Sequence, residues 1–69
     1  METKLDIWFT YHAPTPDQIP KYNAMREAAK VFAQCIVDNT PAGPDQTVAV
    51  RKVREAVMVA NSSIACGGV

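Results

Sequence analysis

One histidine, two cysteines and three glycines are all that this chain of 69 residues offers to metal, redox or phosphate-loop chemistry. His12 and scattered carboxylates do not supply the convergent nitrogen and sulfur ligands of a metal site. Ser62 and Ser63 lie near the C-terminal end with no base within sequence reach. Gly43 stands alone and Gly67-Gly68 close the sequence, so no glycine-rich loop can cradle a phosphate. No catalytic constellation, metal or cofactor is therefore expected. Excess charge is missing too. Seven basic residues balance seven acidic ones, which argues against a general binder of DNA or RNA. No apolar run reaches the length of a membrane span. Asp6 interrupts the first apolar stretch before it can serve a signal peptide, so none is expected. Cys35 reads as a small buried hydrophobe of a reduced, cytosolic protein.

Length is also in short supply. A chain of this size buries only about 60% of its unfolded surface. That gain roughly cancels an ordering cost of ~1.5 kcal/mol per residue. With neither a metal nor a disulfide framework to help, self-association is the remaining means of completing a core.

What the sequence does have is helical patterning. One domain over residues 1–69 separates into a leader (1–15), a helix (16–38) and a second helix (44–65), with a breaker-rich loop (39–43) between the two helices. In the second helix, Gly43 suits the N-cap and Pro44 the first position, where its missing N–H costs nothing. Asp45 follows in the first turn, where the dipole favours an acid. Val50, Val53, Val57, Ala60 and Ile64 then share one face, and Gly67-Gly68 ends the element. In the first helix Tyr22, Met25, Ala29, Phe32, Ala33 and Ile36 recur at helical spacing. Its start is ambiguous, because Thr15-Pro16 opens a helix and Pro20 interrupts its first turn. Helices joined by so short a loop pack antiparallel. Ile19, Val37, Val48, Met58 and Val59 fall off the main stripes, the pattern expected when hairpins pack against other hairpins.

The leader carries Trp8, Phe9 and Tyr11 and ends in Ala13-Pro14-Thr15-Pro16. It reads as extended, with Trp8 and Phe9 pinning it over the hairpin ends. The fold class expected is all-α: an antiparallel two-helix hairpin with an extended N-terminal leader, assembled into a compact homo-oligomer.

Binding chemistry is more promising than catalysis. Tyr11 offers a ring for base stacking and a hydroxyl for a phosphate or base edge. Arg26 offers a planar fork suited to phosphate. Lys21, Lys30, Arg51 or Arg54 of a neighbouring subunit can add charge. His12 either contacts a ligand or fixes the turn into the helix, the second being favoured.

The stretch Phe9-Thr10-Tyr11-His12-Ala13-Pro14, with Gln18 and the run from Tyr22 to Lys30, resembles the first half of the phage anti-CBASS cyclic-nucleotide sponges. Asp45-Gln46-Thr47 and the run Glu55-Ala56-Val57-Met58-Val59-Ala60-Asn61 to Ala65 resemble the second half. The resemblance covers nearly the whole chain. It implies a helical homohexamer, a trimer of dimers, that binds cyclic dinucleotides such as 3′,3′-cGAMP between subunits without cleaving them. It thereby blocks CBASS immunity in the cytoplasm of the infected bacterial host. By the same resemblance Tyr11 stacks on a base and the basic residue at position 26, typically lysine and here Arg26, contacts phosphates; Lys30 and His12 join them as candidates. Some members also bind cyclic trinucleotides with help from a C-terminal basic residue. No Lys or Arg follows Arg54, which counts against trinucleotide binding here. Two other readings stay open: a structural or oligomerisation module with no small ligand, and a protein-binding inhibitor marked by an exposed apolar patch.

Overall fold

The computed structural model describes residues 1–69 as three helices, α1 (Glu2–Trp8), α2 (Ile19–Asn39) and α3 (Pro44–Ala65), with no strands. The antiparallel pair α2–α3 is the hairpin that the patterning predicts.

α1 corrects the expectation of an extended leader. Glu2, Lys4 and Leu5 are good helix formers, and Glu2 sits in the first turn where acid is favoured. The N–H of Leu5 reaches the Met1 carbonyl at 2.9 Å and that of Phe9 the Leu5 carbonyl at 3.0 Å. Residues 11–15 have no regular secondary structure, and the prolines after Ala13 and Thr15 disfavour helical backbone there. Seven residues make a marginal helix in isolation, so its anchors matter. The Trp8 indole N–H donates to the Val69 oxygen at 3.0 Å. His12 Nε2 donates to the Ile7 carbonyl at 2.7 Å, and the Cys66 thiol approaches the same carbonyl at 3.9 Å. Trp8 thus ties the leader to the end of α3. Phe9 does not: it is 83% exposed.

Regular helix begins at Ile19 and not at Pro16. Residues 16–18 form a turn in which the N–H groups of Gln18 and Ile19 both reach the Thr15 carbonyl, at 3.0 and 3.2 Å. Gln18 Oε1 accepts the Thr15 N–H at 3.1 Å, the returning half of a capping box. The Thr15 hydroxyl donates to Asp17 at 2.7 Å. Pro20 falls within the first two helical positions, where no donor is required. Gln18 Nε2 also reaches the Ile64 carbonyl at 3.4 Å, so one side chain links the start of α2 to the end of α3.

The loop is fastened by side chains. Gln46 Nε2 reaches the carbonyls of Val37 and Thr40 at 3.3 and 3.1 Å, satisfying acceptors that the end of α2 leaves open. α3 ends in a Schellman motif: Gly68 N–H bonds the Ser63 carbonyl at 2.9 Å and Gly67 N–H the Ile64 carbonyl at 3.4 Å. Gly67 takes φ +63°, which a Cβ would disfavour. This reversal returns the chain toward Trp8.

Tyr22, Ala29, Ala33 and Ile36 of α2 meet Ala49, Val50, Val53, Val57, Ala60 and Ile64 of α3 along the seam, all of them only half-buried. No residue of the chain is buried. The accessible surface is 5550 Å², against about 4,200 Å² for a compact monomer of this mass. The radius of gyration is 14.9 Å, against about 11 Å for a globular chain of this length. Val31, Val59, Met58 and Phe32 all lie open to solvent, as does Cys35, contrary to its expected burial. Both cysteines are free. No helix is long and apolar enough to cross a membrane.

Candidate ligand site

The hairpin has two unlike sides. On one, Met25, Ala28, Phe32 and Ile36 of α2 face Ala49 and Ala56 of α3 across an open groove of about 660 Å³, with Lys52 its only charged wall. On the other, a cleft of about 270 Å³ is flanked by Arg26 and Lys30 of α2 and Arg54 of α3. Ala29, Val53 and Val57 line both, so the two hollows lie back to back along the seam. Alanines and valines form the floor of the cleft, short enough for long cationic side chains to stand around it.

No carboxylate lines that cleft. The chain's one ion pair, Lys52 with Glu55 at 3.5 Å, is elsewhere and exposed. Arg26 makes a single side-chain hydrogen bond, to Asn23 Oδ1 at 3.3 Å, one turn back on its own helix. Arg26, Lys30 and Arg54 border this hollow through their apolar stems, and its exposed lining is apolar. Arg54 also borders a depression that it shares with Arg51 and Glu55. Arg26 and Lys30 are in no ion pair, which leaves two unpaired cations one turn apart on α2.

Of the residues singled out from the sequence, the structure brings Arg26 and Lys30 together. It does not bring Tyr11 or His12 to them. Tyr11 lies between α1 and α2, 85% exposed and outside every hollow of the chain. Arg26 sits two turns into α2, about 10 Å along its axis from Ile19. The His12 ring is oriented by its bond to the Ile7 carbonyl, which serves the turn. Tyr11 thus has no packing role in its own chain.

From the sequence, Arg54, like Lys21, Lys30 and Arg51, is expected to add charge from a neighbouring subunit. Its position beside Arg26 and Lys30 of the same chain is readable from register. A hairpin folded about Pro41-Ala42 sets Lys30 opposite Val53 and Arg26 opposite Val57, with Arg54 between them. Lys21 and Arg51 do not reach the cleft.

Asp17 stands at the entry to α2. Its carboxyl is held below the usual carboxylate range by the Thr15 hydroxyl, then by its own backbone N–H, with a smaller contribution from the charge of Lys21.

Residues 1–65 match the family model described as Acb2/Tad1, hairpin domain. Neither the curated proteins nor the solved structures give a significant match.

Proposed function

The chain belongs to the Acb2/Tad1 hairpin family of anti-CBASS sponges, which sequester cyclic oligonucleotides, and on that premise we propose that it captures cyclic dinucleotides such as 3′,3′-cGAMP intact. The observation that carries this reading is the pair Arg26 and Lys30, one turn apart on α2 and neither of them in an ion pair. A cyclic dinucleotide presents two phosphodiester charges on a compact ring, with bases that need an aromatic surface. Arg26 pairs with a phosphate through its fork and Lys30 adds a point charge at the rim. Tyr11 supplies the stacking surface.

Since Tyr11 and Arg26 of one chain do not meet, Tyr11 reaches the cleft from another copy. The apolar groove on the opposite side supports such an assembly, as does the surface a lone hairpin leaves in water. Its excess over a compact monomer is larger than the ~800 Å² that each partner gives to a standard interface. A homohexamer built as a trimer of dimers gives every chain both kinds of neighbour. His12 holds the loop that presents Tyr11 and lies next to the ligand. A site closed between subunits excludes water, which strengthens each phosphate contact without chemistry. The protein then acts in the cytoplasm of the infected host, binding the signal and releasing it slowly without cleaving it.

A second reading, a protein-binding inhibitor or structural module without a small ligand, draws on Phe9 and Tyr11, 83% and 85% exposed. Calorimetric titration with 3′,3′-cGAMP, followed by heat denaturation and chromatography of the released ligand, separates the two. Tight binding with intact nucleotide recovered supports the sponge. Absence of heat with every cyclic di- and trinucleotide tried moves the protein to the second reading.

A further inference from the structure

We infer that residues 66–69 are a positioning element of the ligand site: they hold α1 against the end of α3 and thereby fix the loop that carries Tyr11. This rests on the sponge reading above and adds to it a segment that lies beyond the residues matched to the family.

The first ground is how the leader is attached. Residues 1–14 share only two hydrogen bonds with the rest of the chain, and both involve this tail. The Trp8 indole N–H donates to the Val69 oxygen at 3.0 Å, and the Cys66 thiol approaches the Ile7 carbonyl at 3.9 Å. The leader's other side-chain bonds, from Thr10 to Asp6 and from His12 to Ile7, stay within it. The second ground is that these bonds bracket Tyr11. The Ile7 carbonyl that Cys66 approaches also accepts from His12 Nε2 at 2.7 Å, and His12 directly follows Tyr11. Tyr11 makes no hydrogen bond of its own and is 85% exposed, so its place is set by its neighbours in the chain. The third ground is the shape of the tail. Gly67 and Gly68 take φ +63° and +83°, left-handed backbone that reverses the chain. A Cβ at either position would meet nothing within 4 Å, so glycine serves the reversal there and not close packing. Besides closing the last carbonyls of α3, the reversal delivers the Val69 oxygen to Trp8. A helix of seven residues is marginal by itself, so freeing α1 from the tail frees the loop after it. A ring already held in place costs less to order when ligand binds.

The test uses the full chain as wild type, Gly67→Val, Tyr11→Ala and the double variant Tyr11→Ala with Gly67→Val; Trp8→Phe removes the same bond from its other end. Amide hydrogen exchange, elution volume and titration with 3′,3′-cGAMP are measured on each. Valine strongly disfavours the positive φ of Gly67, so the tail turns away from Trp8. Gly67→Val is expected to keep the wild-type elution volume and the protection of α2 and α3, and to exchange the Leu5 and Phe9 amides faster. It should bind on the order of fivefold more weakly, the usual weight of one hydrogen bond. In the Tyr11→Ala background the same change should cost less than about twofold, because the ring that the tail positions is gone. Trp8→Phe should behave as Gly67→Val does. Unchanged exchange at Leu5 and Phe9 overturns the inference, since the tail would then not hold the leader. Losses that multiply in the double variant overturn it too, because the tail would act elsewhere than through Tyr11. Loss of assembly or of α3 protection in both Gly67→Val and Trp8→Phe would make the tail a packing element and overturn it as well. If the wild type itself binds no cyclic oligonucleotide, the sponge reading fails and takes this assignment with it. If the wild type binds and Gly67→Val binds equally, the sponge reading stands and this assignment alone is lost.

Discussion

Trp8 donates its indole N–H to the oxygen of Val69, 3.0 Å away, and so closes the two ends of the chain onto each other. The bond lies next to the contact of the Cys66 thiol with Ile7, and it holds α1 on the end of α3. The loop that presents Tyr11 hangs between this anchor and the Thr15–Gln18 turn. A tail of four residues therefore governs where an exposed ring is offered.

Trp8→Phe keeps an aromatic ring and removes the donor. It is expected to lower stability by about 1 kcal/mol, the usual net contribution of one hydrogen bond. It should also weaken dinucleotide binding, because the Tyr11 loop loses one support. Thermal denaturation and titration of the same preparation check both. Unchanged affinity alongside a lowered Tm would show that the loop is held by His12 and Gln18 alone.

Tyr11→Ala and Arg26→Ala should separate binding from folding. Tyr11 is 85% exposed and Arg26 bonds only to Asn23, so neither change should move the melting temperature of the ligand-free protein appreciably. Loss of base stacking costs ~1–3 kcal/mol and loss of a charged hydrogen bond ~1.5–3 kcal/mol. Each variant should then bind 3′,3′-cGAMP at least several-fold more weakly at unchanged oligomeric size. Tyr11→Phe keeps the ring and most of the affinity; Arg26→Lys keeps the charge and loses the fork. Collapse of the oligomer in both alanine variants would identify a packing role.

Phe32→Asp addresses assembly. Phe32 is 58% exposed in the single chain and borders the apolar groove. A carboxylate there costs little in a lone hairpin and a great deal once a second copy covers the groove. The expected outcome is a smaller species by light scattering, with ligand binding lost at the same time. A variant that stays fully assembled would place the interface on another face.

Asp17 gives a pH dependence with a definite sign. Its folded pKa lies below the ordinary carboxylate value, first because of the Thr15 hydroxyl. A group of this kind contributes stability above its unfolded pKa and loses it as pH falls through the folded one. Asp17→Ala should therefore melt slightly below wild type near neutrality, and the difference should vanish in acid. Because the carboxyl is fully exposed, salt should shrink the difference too. A gap between the two proteins that persists in acid would show that Asp17 acts through something other than its charge.

The seam was legible in the sequence because Val50, Val53, Val57 and Ile64 repeat with helical spacing and Gly43-Pro44 marks a start in two independent ways. The ambiguity at Pro16 and Pro20 could not be settled by propensity, since either proline is tolerated in a first turn. It was decided by Gln18, whose two bonds fix the turn before Ile19. α1 was hidden because proline further along and three clustered aromatics suggest extended chain, while its support comes from Val69 and Cys66, more than fifty residues away. Arg26 and Lys30 were readable as cations on one helix. That Arg54 joins them depends on the register of the hairpin, which residue types alone do not state. Tyr11 was found through the family resemblance, and its exposure leaves it without a structural duty in its own chain.

The single chain has no buried residue. If it assembles as proposed, its half-covered seam would gain the rest of its stability from neighbouring copies, and that gain would depend on protomer concentration. Below a threshold of expression most chains would be unfolded or exchanging, open to proteolysis and without a complete pocket. Above it, assembled pockets would accumulate more steeply than the number of chains made. The timing of its protection in an infected cell would then follow how fast the chain is produced as much as how tightly each pocket binds.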